Sequence, residues 1–198
     1  MTPKIRIIII IFLISFAFET SKSEITKDLS DEWLINVEQY LSELSAINGS
    51  FTQINNIGNI SKGKFWIGNN QELRFEYLPP SETIIIIKNK KIFFKENTTE
   101  EFSSYSTNGN PLVGIFSDTI QFGQFLIKNL EIKGSIGTFS LNTEKSLSRN
   151  VLFLTLDYPD PKLRQWRFID EQKKETTIFF SNIDTHEKIK ENLFETRR

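Results

Sequence analysis

The chain has 198 residues, a net charge of −1, one histidine and no cysteine. This length fits one domain better than two. The missing cysteine excludes a disulfide framework, a thiol nucleophile, a thiolate metal site and a lipid-modified cysteine, and the single His186 leaves most zinc sites and histidine triads incomplete. Without a lysine and arginine stripe, nucleic-acid binding is disfavoured. We therefore expect no metal and no cofactor.

The N-terminus has the layout of a signal peptide. Lys4 and Arg6 precede an uncharged apolar run over residues 7–18, and polar and small residues follow. A membrane-spanning helix needs about 18–20 apolar residues, so this run is too short for an anchor. The pattern predicts a signal peptide over residues 1–23 and a single exported domain over residues 24–198.

Export would leave the mature chain free in the periplasm. Cleavage after Ser23 fits best, and cleavage after Ala17 is the alternative. Residues 1–23 carry a charge of +2, so the mature chain has a charge of −3. We expect a soluble monomer.

An amphipathic helix is predicted over residues 28–48. Its apolar residues recur at spacings of three and four, which makes one continuous stripe. Asp28 or Ser30 can cap its start, and Gly49 can end it in a left-handed turn. The stripe is formed by Leu29, Trp33, Val37, Tyr40, Leu41, Leu44 and Ile47.

Short alternating runs between turn residues predict strands through most of the remaining chain. The first set is predicted at 51–55, 62–67, 72–78, 82–88, 91–96 and 101–106. The second set is predicted at 130–133, 136–142, 151–158, 163–170 and 176–182. An antiparallel sheet of about eleven strands curls, because strands twist and unpaired edges are unfavourable.

An apolar insert over residues 111–127 separates the two sets. Leu112, Phe116, Phe122 and Leu126 fit one face of a helix, which predicts one or two short helices. A curled sheet with one apolar face needs a cover. The first helix and this insert are the two candidates.

Several stretches occur in one consistent order over residues 33–196. They are Tyr40-Leu41, GSFTQ at 49–53, GKFWI at 63–67, LRFEY at 73–77 before Pro79-Pro80, Asn110-Pro111-Leu112, LRQW at 163–166 before Asp170, and Asn192-Leu193-Phe194. In these motifs the chain resembles the LolA-type outer-membrane lipoprotein carriers, and it is most similar to the short alphaproteobacterial form. It departs from the family in having Gly68 to Gln71 where an Arg-Pro pair often precedes the third strand, and in ending soon after Phe194.

The resemblance implies an unclosed antiparallel β-barrel with an N-terminal helix and a short helical insert acting as lid. It implies a hydrophobic cavity that takes lipoprotein acyl chains from an inner-membrane ABC-type transporter. The cargo then passes to an outer-membrane receptor or to the outer membrane itself, without catalysis. The family's strand arginine matches Arg74, which would latch the lid through hydrogen bonds. Alternation leaves open which face Arg74 occupies, and a surface residue paired with Glu76 is the competing interpretation.

Candidate residues for the acyl-chain cavity or lid come from several strands and from the insert. Ordinary core packing is an equally good interpretation for four of them, Phe65, Ile85, Phe93 and Leu154. The candidates are Phe51, Phe65, Ile85, Phe93, Phe116, Phe122, Leu126 and Leu154.

Three alternatives to a carrier remain. An envelope-stress sensor on a similar lipid-binding half-barrel usually has a second domain, for which this chain is too short. The outer-membrane receptor of the same pathway is lipid-anchored and needs a cysteine. A carboxylate-based hydrolase would pair Asp157 with Asp160, or Asp170 with Glu171, but no motif places either pair in a cleft.

Overall fold

The computed structural model describes residues 29–44, 46–68, 72–89, 91–96, 98–99, 101–106, 125–143, 150–185 and 188–196. Within them the chain forms one helix, one sheet of eleven strands and one 3-10 turn. No helix in these ranges is long and apolar enough to cross a membrane. The predicted signal peptide and His186 lie outside the described residues.

The helix α1 covers residues 29–43, and the strands follow it in order. They are β1 Ile47–Asn55, β2 Ile60–Ile67, β3 Leu73–Tyr77, β4 Ile84–Lys88, β5 Lys91–Lys95, β6 Ser103–Ser106, β7 Phe125–Lys133, β8 Ile136–Thr143, β9 Val151–Asp157, β10 Leu163–Ile169 and β11 Glu175–Asp184. The C-terminal turn is Glu191–Phe194.

The sheet is antiparallel and unclosed, as predicted. Its strand order is β6-β5-β4-β3-β2-β1-β11-β10-β9-β8-β7. Two meanders therefore meet at the β1–β11 pair, where Phe51 lies opposite Phe180. The edge strands are β6 and β7. This topology is a half-barrel, in which a curled sheet has one continuous apolar face.

The main core lies between α1 and one face of the sheet. In β9 the buried residues Leu152, Leu154 and Leu156 alternate with half-buried neighbours, as expected for a strand covered mainly on one side. We call this side the inner face and the other side the outer face.

Helix α1 is fixed to β8, β9 and β10 by an indole and a phenol. The Trp33 Nε1 donates to the carbonyl oxygen of Asp157 at 3.1 Å, and its ring meets Phe139 edge-on at 5.9 Å between centroids. The backbone N–H of Leu163 donates to the Tyr40 Oη at 3.1 Å. These bonds satisfy polar atoms in a mostly apolar contact, which fixes the position of the helix.

The predicted end of α1 was wrong. The helix stops at residue 43, and Ile47 already belongs to β1. Ala46 takes the left-handed turn, with φ of 52°. Gly49 lies inside β1 at a bulge, where a Cβ would lie 2.7 Å from the Phe65 ring. The glycine is needed for close approach rather than for a helix cap.

The helical interpretation of the insert was wrong at its C-terminal end. Residues 125–127 belong to β7. A bulge after Lys128, with Asn129 at φ 53°, breaks the two-residue alternation of this strand and concealed it in the sequence. Residues 107–124, including Phe116 and Phe122, lie outside the described part.

Candidate functional site

The centre of the inner face is an aromatic cluster. It is built by five rings from adjacent strands, Phe51, Phe65, Phe75, Trp166 and Phe180. Phe51 meets Phe75 edge-on at 4.9 Å between centroids, and Trp166 meets Phe180 at 4.6 Å. Edge-to-face pairs contribute about 0.5–1.5 kcal/mol each beyond their buried area. This part of the inner face is closed and tightly packed.

The inner face opens toward its two margins. Ile85 of β4 and Ile92 of β5 are only half-buried against the core, near the β6 edge. At the other margin Ile127, Leu130 and Ile132 of β7 are also half-buried. Half-buried apolar side chains next to a closed core offer a surface on which an apolar ligand can pack.

Most strand residues proposed for the cavity share the inner face. Phe51, Phe65 and Leu154 are buried in the main core, and Ile85 lies at its margin. Their packing in the described structure is established, and their contact with an acyl chain stays a prediction.

Two proposed cavity residues lie on the other side of the sheet. Phe93 pairs with Ile86, beneath the Lys88 ammonium group. Leu126 pairs with Asn142 and is 40% exposed. Both assignments to the cavity are corrected, because neither side chain points to the face that carries Phe65. In the KIFFK run both phenylalanines are flanked by similar residues, so the sequence alone does not show which one turns inward.

Arg74 lies on the outer face with 13% of its side chain exposed. Its Nη1 donates to the carbonyl oxygen of Leu193 at 2.9 Å, and its Nη2 donates to Glu76 Oε2 at 2.7 Å. The guanidinium group also lies 5.9 Å from the centroid of the Trp66 ring. Arg74 thus has the expected pair with Glu76 together with a backbone contact, and this contact is to the C-terminal turn. Its predicted role as latch of the insert stays a prediction.

The C-terminal turn is held by two cations and one aromatic ring. Besides the Arg74 bond, the Lys88 Nζ donates to the carbonyl oxygen of Phe194. The Phe194 side chain is buried against Gly68, where a Cβ would lie 2.8 Å from the ring. The sequence analysis noted Asn192-Leu193-Phe194 as a motif. It missed the bond between Arg74 and Leu193, which are 119 positions apart.

Tyr77 adds a polar pair to the inner face that sequence reasoning missed. Its hydroxyl donates to Gln53 Oε1 at 2.7 Å, and its ring meets Phe51 edge-on. Burial raises the pKa of Tyr77 to about 12, so the phenol stays neutral at ordinary pH.

Two of the carboxylates considered for hydrolysis, Asp157 and Asp170, have structural partners. Arg164 Nε donates to Asp157 Oδ1 at 2.7 Å and its Nη2 donates to Oδ2, and this pair lowers the pKa of Asp157. Asp170 Oδ1 accepts the backbone N–H groups of Gln172 and Lys174 in the β10–β11 turn. A carboxyl group with a lowered pKa is a poor general acid. No group of three or more metal-binding side chains occurs among the described residues.

Solved structures with a similar chain path come from several bacteria. An uncharacterized conserved protein from Thermus thermophilus has a TM-score of 0.50 and 12% identity, covering 83% of this chain and 91% of that one. A chain of the Pseudomonas aeruginosa MucA/MucB complex has a TM-score of 0.48 and 14% identity, covering 85% of this chain and 60% of that one. The LolA superfamily protein NE2245 from Nitrosomonas europaea has a TM-score of 0.46 and 8% identity, covering 80% and 97%.

The comparisons at the level of sequence include one relative and one family model. The uncharacterized protein RP864 of Rickettsia prowazekii (strain Madrid E) is 24% identical over 163 residues, covering 81% of this chain and 75% of its own length. The family model described as outer membrane lipoprotein carrier protein LolA matches residues 42–197. This match includes all eleven strands and the C-terminal turn, and the chain therefore belongs to the LolA family of outer membrane lipoprotein carrier proteins.

Proposed function

We propose that the protein is a periplasmic carrier that holds the acyl chains of lipoproteins against the inner face of its half-barrel. It takes them from an inner-membrane ABC-type lipoprotein-releasing transporter and delivers them to an outer-membrane receptor or to the outer membrane itself. No bond is made or broken in this cycle. Membership of the LolA family over residues 42–197 supports the proposal.

The observation that carries the proposal is the graded burial of the inner face. Its centre is closed around Phe51 and Phe65, whereas Ile85 and Ile92 at one margin stay half-buried. An acyl chain placed along such a margin replaces water on residues that are already next to the core. The inner face of this chain therefore has an apolar margin suited to an acyl chain.

Graded burial also suits release. Each buried methylene contributes about 0.8 kcal/mol, so a sixteen-carbon chain in a perfect pocket would gain on the order of 12 kcal/mol. A carrier that bound so tightly would not deliver its cargo. Margin residues that are already half-buried offer less new burial and thus weaker binding.

The first test uses purified protein and a fluorescent hydrophobic probe. We expect the probe to bind, to be displaced by a lipoprotein, and to bind Ile85→Asp at least tenfold more weakly, because a carboxylate at the margin repels an apolar ligand. The matched control is Ile60→Asp on β2, where the isoleucine is 64% exposed and pairs with Ile54 on the outer face.

The second test is release of lipoproteins from spheroplasts. We expect soluble complexes of lipoprotein and carrier with the parent protein and with Ile60→Asp, and few with Ile85→Asp. Probe binding without lipoprotein release would instead assign the protein to another class of periplasmic lipid-binding half-barrel. Absence of both would end the carrier proposal.

A further inference from the structure

Cations are concentrated on the outer face of β2 to β5. The register places Lys64, Glu76, Ile84 and Lys95 in one row across these strands. The next row contains Trp66, Arg74, Ile86 and Phe93, and Lys88 pairs with Lys91 beyond it. The cations of this surface, which we call the basic face, are Lys62, Lys64, Arg74, Lys88, Lys91 and Lys95.

The charge of the basic face is one-sided. Glu76 is the one acidic residue in the four strands, and it is paired with Arg74. Arg74 and Lys88 bind carbonyl oxygens of the C-terminal turn, which carries the exposed Glu191 and Glu195. Contact with a partner therefore depends on the exposed Lys62, Lys64 and Lys91. The opposite sign is found on α1, where residues 29–43 contain four carboxylates and no lysine or arginine. A chain with a net charge of only −1 thus separates its charges between the helix and these strands. Such segregation directs a protein toward anionic surfaces.

The side chains of the basic face are arranged for contact with an interface. Lys62, Lys64 and Lys91 are exposed. On the same face, Lys64 precedes the half-buried indole of Trp66 along β2, and Lys91 precedes the half-buried Phe93 along β5. Lysine stems lie along apolar surface while their ammonium groups reach water, and tryptophan favours the headgroup level of a bilayer. Cations around apolar rings match a layer of anionic headgroups above acyl chains.

We propose that the basic face docks the protein on the anionic headgroups of a phospholipid membrane. The proposal goes beyond the carrier function and is tested without cargo. The same strands carry Ile85 and Ile92 on the inner face. Docking through β4 and β5 would therefore bring the open margin of the half-barrel close to the bilayer from which acyl chains leave or into which they enter.

The experiment is cosedimentation of the protein, recovered from the periplasmic fraction, with vesicles of defined composition. We expect binding to phosphatidylglycerol vesicles, weak binding to phosphatidylcholine vesicles, and loss of the difference at high salt. The phosphatidylcholine vesicles also report any contact through the apolar run at residues 7–18. Equal binding to both vesicle types would overturn the proposal.

A matched pair of triple variants locates the surface. Replacing Lys62, Lys64 and Lys91 by glutamine should weaken partitioning about a hundredfold, since each lysine near an anionic surface contributes about fivefold. Replacing Lys133, Lys162 and Lys174 removes the same charge from exposed positions outside the basic face and should have little effect.

Equal losses in both triple variants would mean a response to net charge alone, which contradicts a docking face. Normal vesicle binding by the first triple variant would mean that these lysines do not contact headgroups and have another partner, such as an acidic protein. That result would also overturn the proposal. Circular dichroism of both variants checks that the fold is intact.

Discussion

Arg74 connects the third strand to the C-terminal turn. Its guanidinium group has two partners, the Leu193 carbonyl oxygen and the Glu76 carboxylate, in a site where 13% of its side chain is exposed. A hydrogen bond to a charged group contributes about 1.5–3 kcal/mol when it is shielded from water. The residue is therefore more than a loosely paired surface arginine.

We expect Arg74→Leu to retain the sheet and to loosen the turn Glu191–Phe194. Hydrogen exchange should increase at residues 191–194, while far-ultraviolet circular dichroism stays unchanged. If Arg74 also controls unloading, the variant accepts lipoprotein and fails to transfer it. The matched control is Arg167→Leu, which removes a β10 arginine that pairs with Glu175 of β11 and leaves the turn untouched. Normal hydrogen exchange and normal lipoprotein transfer in Arg74→Leu would show that Arg74 neither holds the turn nor controls unloading.

Asp157 gives the protein a stability that depends on pH. Its partner Arg164 lowers the pKa of its carboxyl group in the folded state. The pair therefore stabilises the fold above the unfolded pKa of about 3.9, and this contribution is lost as pH falls through the lower folded pKa. Asp157→Asn should be less stable than the parent in urea at neutral pH, with a gap that narrows below about pH 4. A gap that is independent of pH would contradict this explanation, and Asp160→Asn in the exposed loop is the control.

At the scale of elements, α1 depends on one glycine of the sheet. Trp33 lies directly over Gly137 of β8, and a Cβ there would overlap the indole ring. We expect Gly137→Ala to destabilise the protein by about 1–3 kcal/mol, as overpacked cores do. Thermal unfolding followed by tryptophan fluorescence would measure this.

The control for this prediction is a change on the same hairpin that leaves the helix contact alone. Ser135→Ala replaces an exposed side chain in the β7–β8 turn. Equal stability of the two variants would show that α1 does not depend on the contact between Trp33 and β8.

The types of most elements were predictable because the turn residues and the alternation of apolar and polar side chains indicate the same strands over most of the chain. The Gly58 turn, with φ of 82°, separates β1 from β2, and both strands were predicted there. The misses have local causes. Gly49 looked like a helix cap although it permits close packing on Phe65, and the Asn129 bulge concealed the start of β7.

Which side of the sheet a residue faces, and which distant segment covers it, was less predictable. Phe93 faces outward because β5 pairs with β4 in the register that places Phe93 opposite the outward-facing Ile86. The bond from Arg74 to Leu193 depends on the C-terminal segment returning to β3. Such placements follow from tertiary packing, and a strand's own sequence does not contain them.

For the whole molecule, the two faces of the open sheet differ in the residues that they carry. The inner face contains the aromatic core and the half-buried margins, and the outer face contains Arg74 and the lysines around it. The chain belongs to the LolA family, and its half-buried margins are where our proposal places the acyl chains. In our proposals the inner face binds acyl chains and the outer face binds headgroups.

The most direct measurement is photo-crosslinking from the cargo. A lipoprotein carrying a diazirine on an acyl chain would be loaded, irradiated and digested, and the modified residues would be identified by mass spectrometry. We expect crosslinks at the inner-face margins, above all at Ile85, Ile92 and Ile127. Crosslinks concentrated on outer-face residues such as Ile60 and Leu126, or a cargo that crosslinks nowhere on the sheet, would contradict the carrier proposal.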